Sequence, residues 1–225
     1  MGRLVNIAID GPAGAGKSTV AKLAAEKLGY VYIDTGAMYR AVTLQALMDK
    51  IDMSDETNLT RIAESVDLAL RADESGNTRV FLNGVDVSRQ IRTPEVSRNV
   101  SLVSQVPGVR RRMMQLQKEM GARSGVVMEG RDIGTQVLPD AEMKFFLTAS
   151  VEERARRRYA ELIHRGFTVT YDEVYKDIAQ RDNIDSHRAV APLKPARDAE
   201  IIDCTGMTVE QVVDAIAARV SGRSL

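Results

Sequence analysis

Gly11-Pro12-Ala13-Gly14-Ala15-Gly16-Lys17-Ser18 follows directly on the apolar run Val5-Asn6-Ile7-Ala8-Ile9. A strand, a glycine-rich loop and then a helix form the setting in which a Walker A phosphate loop works. The glycines leave room for backbone N–H groups to wrap phosphate oxygens. Lys17 adds a mobile positive charge, and Ser18 supplies a hydroxyl for Mg²⁺. The segment from Thr19 to Leu28, closed by Gly29, reads as a helix aiming its positive end at the anion, an effect worth about 0.3–2 kcal/mol. A polyphosphate ligand is therefore expected before anything else about the chain is settled.

The 225 residues suffice for one full core, with or without insertions. Lys+Arg and Asp+Glu number 31 each, so net charge is zero, where a nucleic-acid binder would more often be basic. The single cysteine, Cys204, excludes an intrachain disulfide and a cysteine-rich zinc site, and fits a reducing, cytoplasmic setting. The chain enters a core strand within a few residues of Met1, leaving no room for a signal peptide, and no apolar run approaches membrane-spanning length. The absence of Trp argues against a base-stacking platform for single strands. Neither nucleic acid nor a membrane is expected as a partner, and a monomer is the default.

Val5–Ile9, Tyr30–Ile33, Val126–Met128, Lys144–Leu147 and Ile201–Ile202 read as buried strands with helical segments between them. That alternation predicts an α/β fold with a five-stranded parallel sheet and helices on both faces. Ligands then lie beyond the carboxyl ends of the strands, where the phosphate loop, Asp34-Thr35-Gly36 and Glu129-Gly130-Arg131-Asp132 all emerge. Between the second and third strands the alternation of Val66, Leu68 and Leu70, the turn Ser75-Gly76-Asn77, Val80-Phe81-Leu82, Asn83-Gly84 and Val85-Asp86-Val87 predict a small antiparallel meander. Thr93 caps a helix with Pro94 at its first position; Pro107 breaks it, and a second helix runs to Gly121. Ser150 with Glu153, and Thr170 with Glu173, have capping-box spacing and predict two helices joined around Gly166; Thr208 with Gln211 caps the terminal helix.

Arg154, Arg157 and Arg158 share a helix face, as do Arg181, Asp185 and Arg188. One reading is a solvated face laced with ion pairs, to which Glu152, Glu153 and Asp182 would contribute. The other is an anion site. Two unit charges of like sign at 4 Å repel by about 4 kcal/mol at an effective dielectric near 20, and arginine forks relieve that while fixing geometry. A phosphate acceptor has a second pKa near 6 and needs no general base, which suits a chain whose only histidines are His164 and His187. Asp34 and Asp132 can also be read as helix caps beside Gly36 and Gly134.

The chain resembles the bacterial cytidylate kinases, P-loop nucleoside monophosphate kinases, over essentially its whole length. The resemblance is carried by Ile9-Asp10-Gly11-Pro12 through Lys17-Ser18, Ile33-Asp34-Thr35-Gly36-Ala37-Met38-Tyr39-Arg40, Val85-Asp86-Val87-Ser88 with Ile91-Arg92-Thr93, Gly130-Arg131-Asp132-Ile133-Gly134-Thr135, and Arg181-Asp182 to Asp185 with Arg188-Ala189-Val190-Ala191-Pro192-Leu193. It implies a P-loop kinase core in residues 1–35, 93–150 and 188–225, an enlarged monophosphate-binding insertion with the antiparallel sheet in 36–92, and a helical lid in 151–187. It implies ATP with Mg²⁺ as donor and CMP or dCMP as acceptor. Gly11, Pro12, Ala13, Gly14, Ala15, Gly16, Lys17, Ser18 and Thr19 would bind the ATP phosphates, with Ser18 on the metal. Arg40 and Arg131 would hold the CMP phosphate. Thr35, Ser101, Arg110 and Asp132 would read the cytosine edge or lie beside it. Arg181 and Asp185 would contact the ribose, and Arg188 would lie close to the base or phosphate. Arg154 and Arg158 would close on the ATP phosphates, so that Lys17, Arg131, Arg154, Arg158 and Arg181 form the catalytic set. Some members carry Asp at the position of Glu129 and Ser at that of Thr35; both swaps keep the functional group and bear on acceptor discrimination.

Three other readings are open to the sequence. UMP or AMP kinases share the chemistry. A GTP-binding switch would need a guanine-reading Asn-Lys-x-Asp, which does not occur. An ATPase acting on nucleic acid fits poorly with zero net charge.

Overall fold

The computed structural model describes residues 4–73, 78–122 and 124–223. In chain order its strands and helices are β1 (Ile7–Asp10), α1 (Lys17–Leu28), β2 (Val31–Asp34), α2 (Thr35–Met48), α3 (Glu56–Ser65), β3 (Leu68–Ala72), β4 (Thr78–Leu82), β5 (Val85–Asp86), α4 (Pro94–Val103), α5 (Pro107–Gly121), β6 (Val126–Gly130), β7 (Met143–Thr148), α6 (Val151–His164), α7 (Tyr171–His187), β8 (Glu200–Asp203) and α8 (Val209–Arg223). They fall into two compact units: Met1–Val31 with Ser124–Leu225, and Tyr32–Arg123.

The first unit is built on the five-stranded parallel sheet, order β2-β6-β1-β7-β8. Of β2, Val31 lies in this unit, and its amide donates to the Gly125 carbonyl at 2.9 Å. β1 is buried at every position, as a strand covered on both faces must be. Its register sets Asp10 opposite Gly130 of β6 and Phe146 of β7. The loops leaving β1 and β6 therefore start side by side, and these are the phosphate loop and Arg131-Asp132. α6 and α7 pack on each other through Ala155, Leu162, Val174 and Ile178. Thr170 and Glu173 make the full reciprocal capping box. At α6 only half of it forms: Ser150 accepts from the Glu153 amide, while the Glu153 carboxylate is engaged by Arg156 and Arg157.

In the second unit β3 and β4 pair antiparallel from Leu68↔Leu82 to Ala72↔Thr78, and β5 adds to β4. Asn83 (φ 51°) and Gly84 (φ 81°) are both left-handed, the backbone that a two-residue type I′ hairpin demands. The expected turn at Ser75-Gly76-Asn77 lies outside the described residues. Val66 does not join the strand. It terminates α3, a helix opened by Asp55, whose side chain accepts from the Asn58 amide. α4 and α5, expected in the core section 93–150, lie in this unit and bury Val100, Val103, Val109 and Met113 against α2 residues such as Met38 and Val42.

Candidate active site

α1 lacks a side-chain cap, as does α5, where Pro107 opens the helix without an N–H. Gly16, in the left-handed region at φ 89°, precedes Lys17, and no acidic residue occupies the first turn. Asp34, Asp55, Thr93, Ser150 and Thr170 each satisfy an amide of their own helix. The first N–H groups of α1 are thus left for a ligand, with the positive helix end behind them. Gly11 and Gly14 are fixed by close approach as well as by positive φ. A Cβ at Gly11 would run into the Leu147 carbonyl, and one at Gly14 would lie 3.0 Å from both Cβ and the carbonyl oxygen of Arg154. Pro12, Ala13 and Ala15 are buried in the loop; Ser18 and Thr19 begin α1 exposed.

The Lys17 side chain is buried, and Nζ donates to the Pro12 carbonyl at 2.8 Å. Burial first, then repulsion by Arg131 and Arg181, lowers its pKa to about 7, against the attraction of Glu129 and Asp10. Asp10 closes β1. Its two oxygens accept from the Ile133 and Gly134 amides at 2.8 Å each, capping a short π-helical turn at Ile133–Val137. Burial raises its carboxyl to about 6, partly offset by those two amides. Asp132, one of the alternative caps, makes no side-chain cap; Asp10 takes that place, and Asp132 instead accepts from Arg188 Nη2 at 3.3 Å. Arg188 follows the end of α7 in extended conformation and also donates from Nε to the Ala191 carbonyl.

Arg131 Nε donates to Asp185 Oδ2 at 2.9 Å, and Arg181 Nε lies 3.9 Å from the same oxygen. Burial acts to raise the Asp185 carboxyl, but Arg131 and Arg181 outweigh it and hold it below the usual range. Arg181 Nε is buried with no hydrogen-bond partner among the described residues. Burial, then Arg131 and Arg158, lowers its pKa to about 10, against Asp185 and Asp182. Arg181 therefore feels Arg131 and Arg158, and Lys17 feels Arg131 and Arg181; the buried Arg181 Nε without a hydrogen-bond partner among the described residues is a fit for an anionic oxygen.

The α6 arginines engage protein acceptors, but of different kinds. Arg156 and Arg157 pair with Glu153, Arg158 pairs with Glu161 at 2.7 Å, and Arg165 also reaches Glu161. Arg154 is buried, with Nε on the Ala149 carbonyl and Nη1 on the Ala13 carbonyl and Asp182. Arg157, which the site expectations omit, lies nearest the loop's end: its Nη1 is 3.8 Å from where a Gly16 Cβ would be. Its i, i+3 spacing from Arg154 was the available signal.

In the second unit Thr35 is the buried first residue of α2. Asp34 caps that helix through the Ala37 amide (2.9 Å) and pairs with Arg92 at 2.7 Å. Arg40 Nη1 donates to Ser97 Oγ at 2.9 Å. Ser101 is buried on α4. Arg110 is buried on α5, with Nη1 donating to the Ser104 carbonyl at 3.2 Å and the guanidinium 5.8 Å from the Tyr39 ring centroid. Ser97, Arg92 and Tyr39 complete this arrangement; Arg92 and Tyr39 lie in segments that carry the family resemblance, whereas Ser97 carries no motif.

The cytidylate kinase family model matches residues 7–222. The chain belongs to the cytidylate kinase family. The cytidylate kinase of Pelotomaculum thermopropionicum is 58% identical over 221 residues, covering 98% of each chain. That of Bacillus subtilis is 50% identical over 224 residues, covering 100% of each. Among solved structures, a shikimate kinase from Bacteroides thetaiotaomicron (TM-score 0.50, 16% identity, covering 97% of this chain and 99% of that one) and a gluconokinase from Sinorhizobium meliloti (TM-score 0.50, 15% identity, covering 97% and 94%) share the fold. Among the described residues no helix is long and apolar enough to cross a membrane.

Proposed function

We propose that this family member transfers the γ-phosphoryl of MgATP to CMP or dCMP, giving CDP or dCDP and ADP. The observation that carries the reading is the cation group of buried Lys17 with half-buried Arg131, Arg158 and Arg181, in which Lys17 and Arg181 are held below their ordinary pKa values by burial and by neighbouring cations. Such a group is stabilised by bringing in phosphate charge, and this reaction brings two phosphate-bearing nucleotides together.

A phosphate oxygen of the acceptor attacks the γ-phosphorus, and the bond to the β–γ bridging oxygen breaks, leaving its electron pair on ADP. No proton has to be removed, since the acceptor phosphate is largely dianionic near neutrality. Residues Gly11 to Thr19 hold the donor phosphates through backbone amides and Lys17. Arg131 and Arg181 stabilise charge on the group in transfer, and Arg158 supports them; a positioned arginine is worth about 10³–10⁵ in rate in related phosphoryl transfers. Ser18, exposed at the head of α1, would hold Mg²⁺ together with phosphate oxygens, the mode in which this ion is usually bound. The ion supplies positive charge to the phosphates. In the first unit Arg131 takes the acceptor phosphate, Asp132 serves the base, and Arg181, Asp185 and Arg188 serve the sugar and the groups next to it; for the second unit's residues the family resemblance gives Arg40 a phosphate and Thr35, Ser101 and Arg110 the base.

Acceptor choice is tested by ADP release across CMP, dCMP, UMP and AMP. Sites that hydrogen-bond their substrate reject analogues by up to about 10⁴–10⁵. CMP and dCMP should stand far above AMP. Preference for AMP or UMP would assign the chain another acceptor.

A further inference from the structure

The three acceptors around Arg154 belong to three different segments. Nε donates to the carbonyl of Ala149, just before α6, at 2.9 Å. Nη1 donates to the carbonyl of Ala13, within the phosphate loop, at 3.0 Å, and lies 2.6 Å from Asp182 Oδ2 on α7. The side chain is 5% exposed. Independently, the loop is pressed on the α6 backbone at this residue, since a Cβ at Gly14 would meet the Arg154 Cβ and carbonyl oxygen at 3.0 Å.

We propose that Arg154 is a positioning residue for the phosphate loop, locking the Ala13–Gly14 peptide so that its N–H faces the donor phosphates. The peptide group is planar and trans, so its C=O and N–H point in opposite directions. Holding the Ala13 oxygen against Arg154 turns the Gly14 N–H away from α6, where an anion can take it. Asp182 keeps the guanidinium in place. A buried guanidinium without a counter-charge would be costly, and Asp182 Oδ1 is itself buried with no hydrogen-bond partner among the described residues. Arginine is required because its fork reaches several acceptors at once, whereas an ammonium is a point charge on a flexible stem.

The inference rests on the loop being the ATP site, and the test separates the two. Binding of a fluorescent ATP analogue and of CMP, each alone, is measured for the wild type, Arg154→Met, Arg154→Lys and Asp182→Asn, with melting temperature and hydrogen exchange of the loop peptide alongside. Failure of the wild type to bind the analogue would remove the ATP reading itself. With wild-type binding intact, Arg154→Met should weaken the analogue by about tenfold to a hundredfold, the range expected for a slight misplacement of binding groups. CMP affinity should stay within about twofold and the loop amides should exchange faster. Arg154→Lys and Asp182→Asn should show the same ATP-only loss to a smaller degree, and they decide the question if Arg154→Met does not fold. Unchanged analogue affinity, or equal loss for both ligands in step with a lowered melting temperature, would overturn the proposal.

Discussion

Arg131 Nε donates to Asp185 Oδ2 across 2.9 Å, joining the residue after β6 to the last turn of α7. Asp185 is 2% exposed and also faces Arg181. The carboxylate aligns Arg131 and tempers the repulsion between the two guanidinium groups. Arg131→Ala should lower kcat by about 10³-fold or more, in line with the loss of a positioned arginine, while the circular dichroism spectrum stays native. Asp185→Asn should cost stability as well, since removing one partner of a buried pair costs about 3–5 kcal/mol. Arg131→Ala removes a partner of the same buried carboxylate, so urea unfolding should show both variants destabilised, and the loss of kcat in Arg131→Ala is read on protein that urea unfolding shows to be folded.

Lys17 gives a pH signature. With its pKa lowered to about 7, the free ammonium is mostly deprotonated a unit or more above that, whereas bound polyphosphate favours the charged form. ATP binding should therefore take up a proton in this range, and affinity should fall by up to about tenfold per pH unit above 7. Calorimetry in buffers of different ionisation enthalpy measures the uptake. Folding shows the opposite trend. The unfolded chain binds more protons between about 7 and 10.5, so the unliganded protein should gain stability as pH rises through that window. Lys17→Met should abolish both effects.

Gly11→Ala should be severe for a backbone reason. At φ 148° an added Cβ would strike the Leu147 carbonyl of β7. Strain and overpacking together should cost roughly 2–5 kcal/mol, read as a lowered urea midpoint. Gly29→Ala, also at positive φ but with nothing within 4 Å, should cost less.

Asp34 serves two partners, the Ala37 amide and Arg92. Asp34→Ala should destabilise by about 0.5–2 kcal/mol for the lost cap, and Asp34→Asn should recover most of it because asparagine caps nearly as well. An Asp34→Ala protein that melts like the wild type would show that the cap contributes nothing.

The phosphate loop was readable in the sequence because its requirements are local: backbone amides approach an anion only where glycine removes the side chain, and α1 needs no cap residue. The hairpin at Asn83-Gly84 was readable for the same reason. Val66 was misassigned because alternation with Leu68 and Leu70 looks alike whether the first residue ends a helix or begins a strand. Asp10 gave no such signal. It caps a turn 123 positions away, a relation written only in the parallel register of β1 and β6. Asp132 looked like a cap because it precedes Ile133 and Gly134, and only the fold shows Asp10 taking that place. The α6 arginines were ambiguous because spacing sets a face without saying what meets it. Arg156 and Arg157 found Glu153 one turn back, while Arg154 found the phosphate loop.

A single turnover with [γ-³²P]ATP tests most directly whether the cation group serves transfer between two nucleotides. The label should appear in CDP when CMP is present, with little inorganic phosphate when it is absent, and Arg131→Ala should slow the CDP signal by about 10³-fold or more. Label released as inorganic phosphate at the same rate with or without CMP would contradict the account.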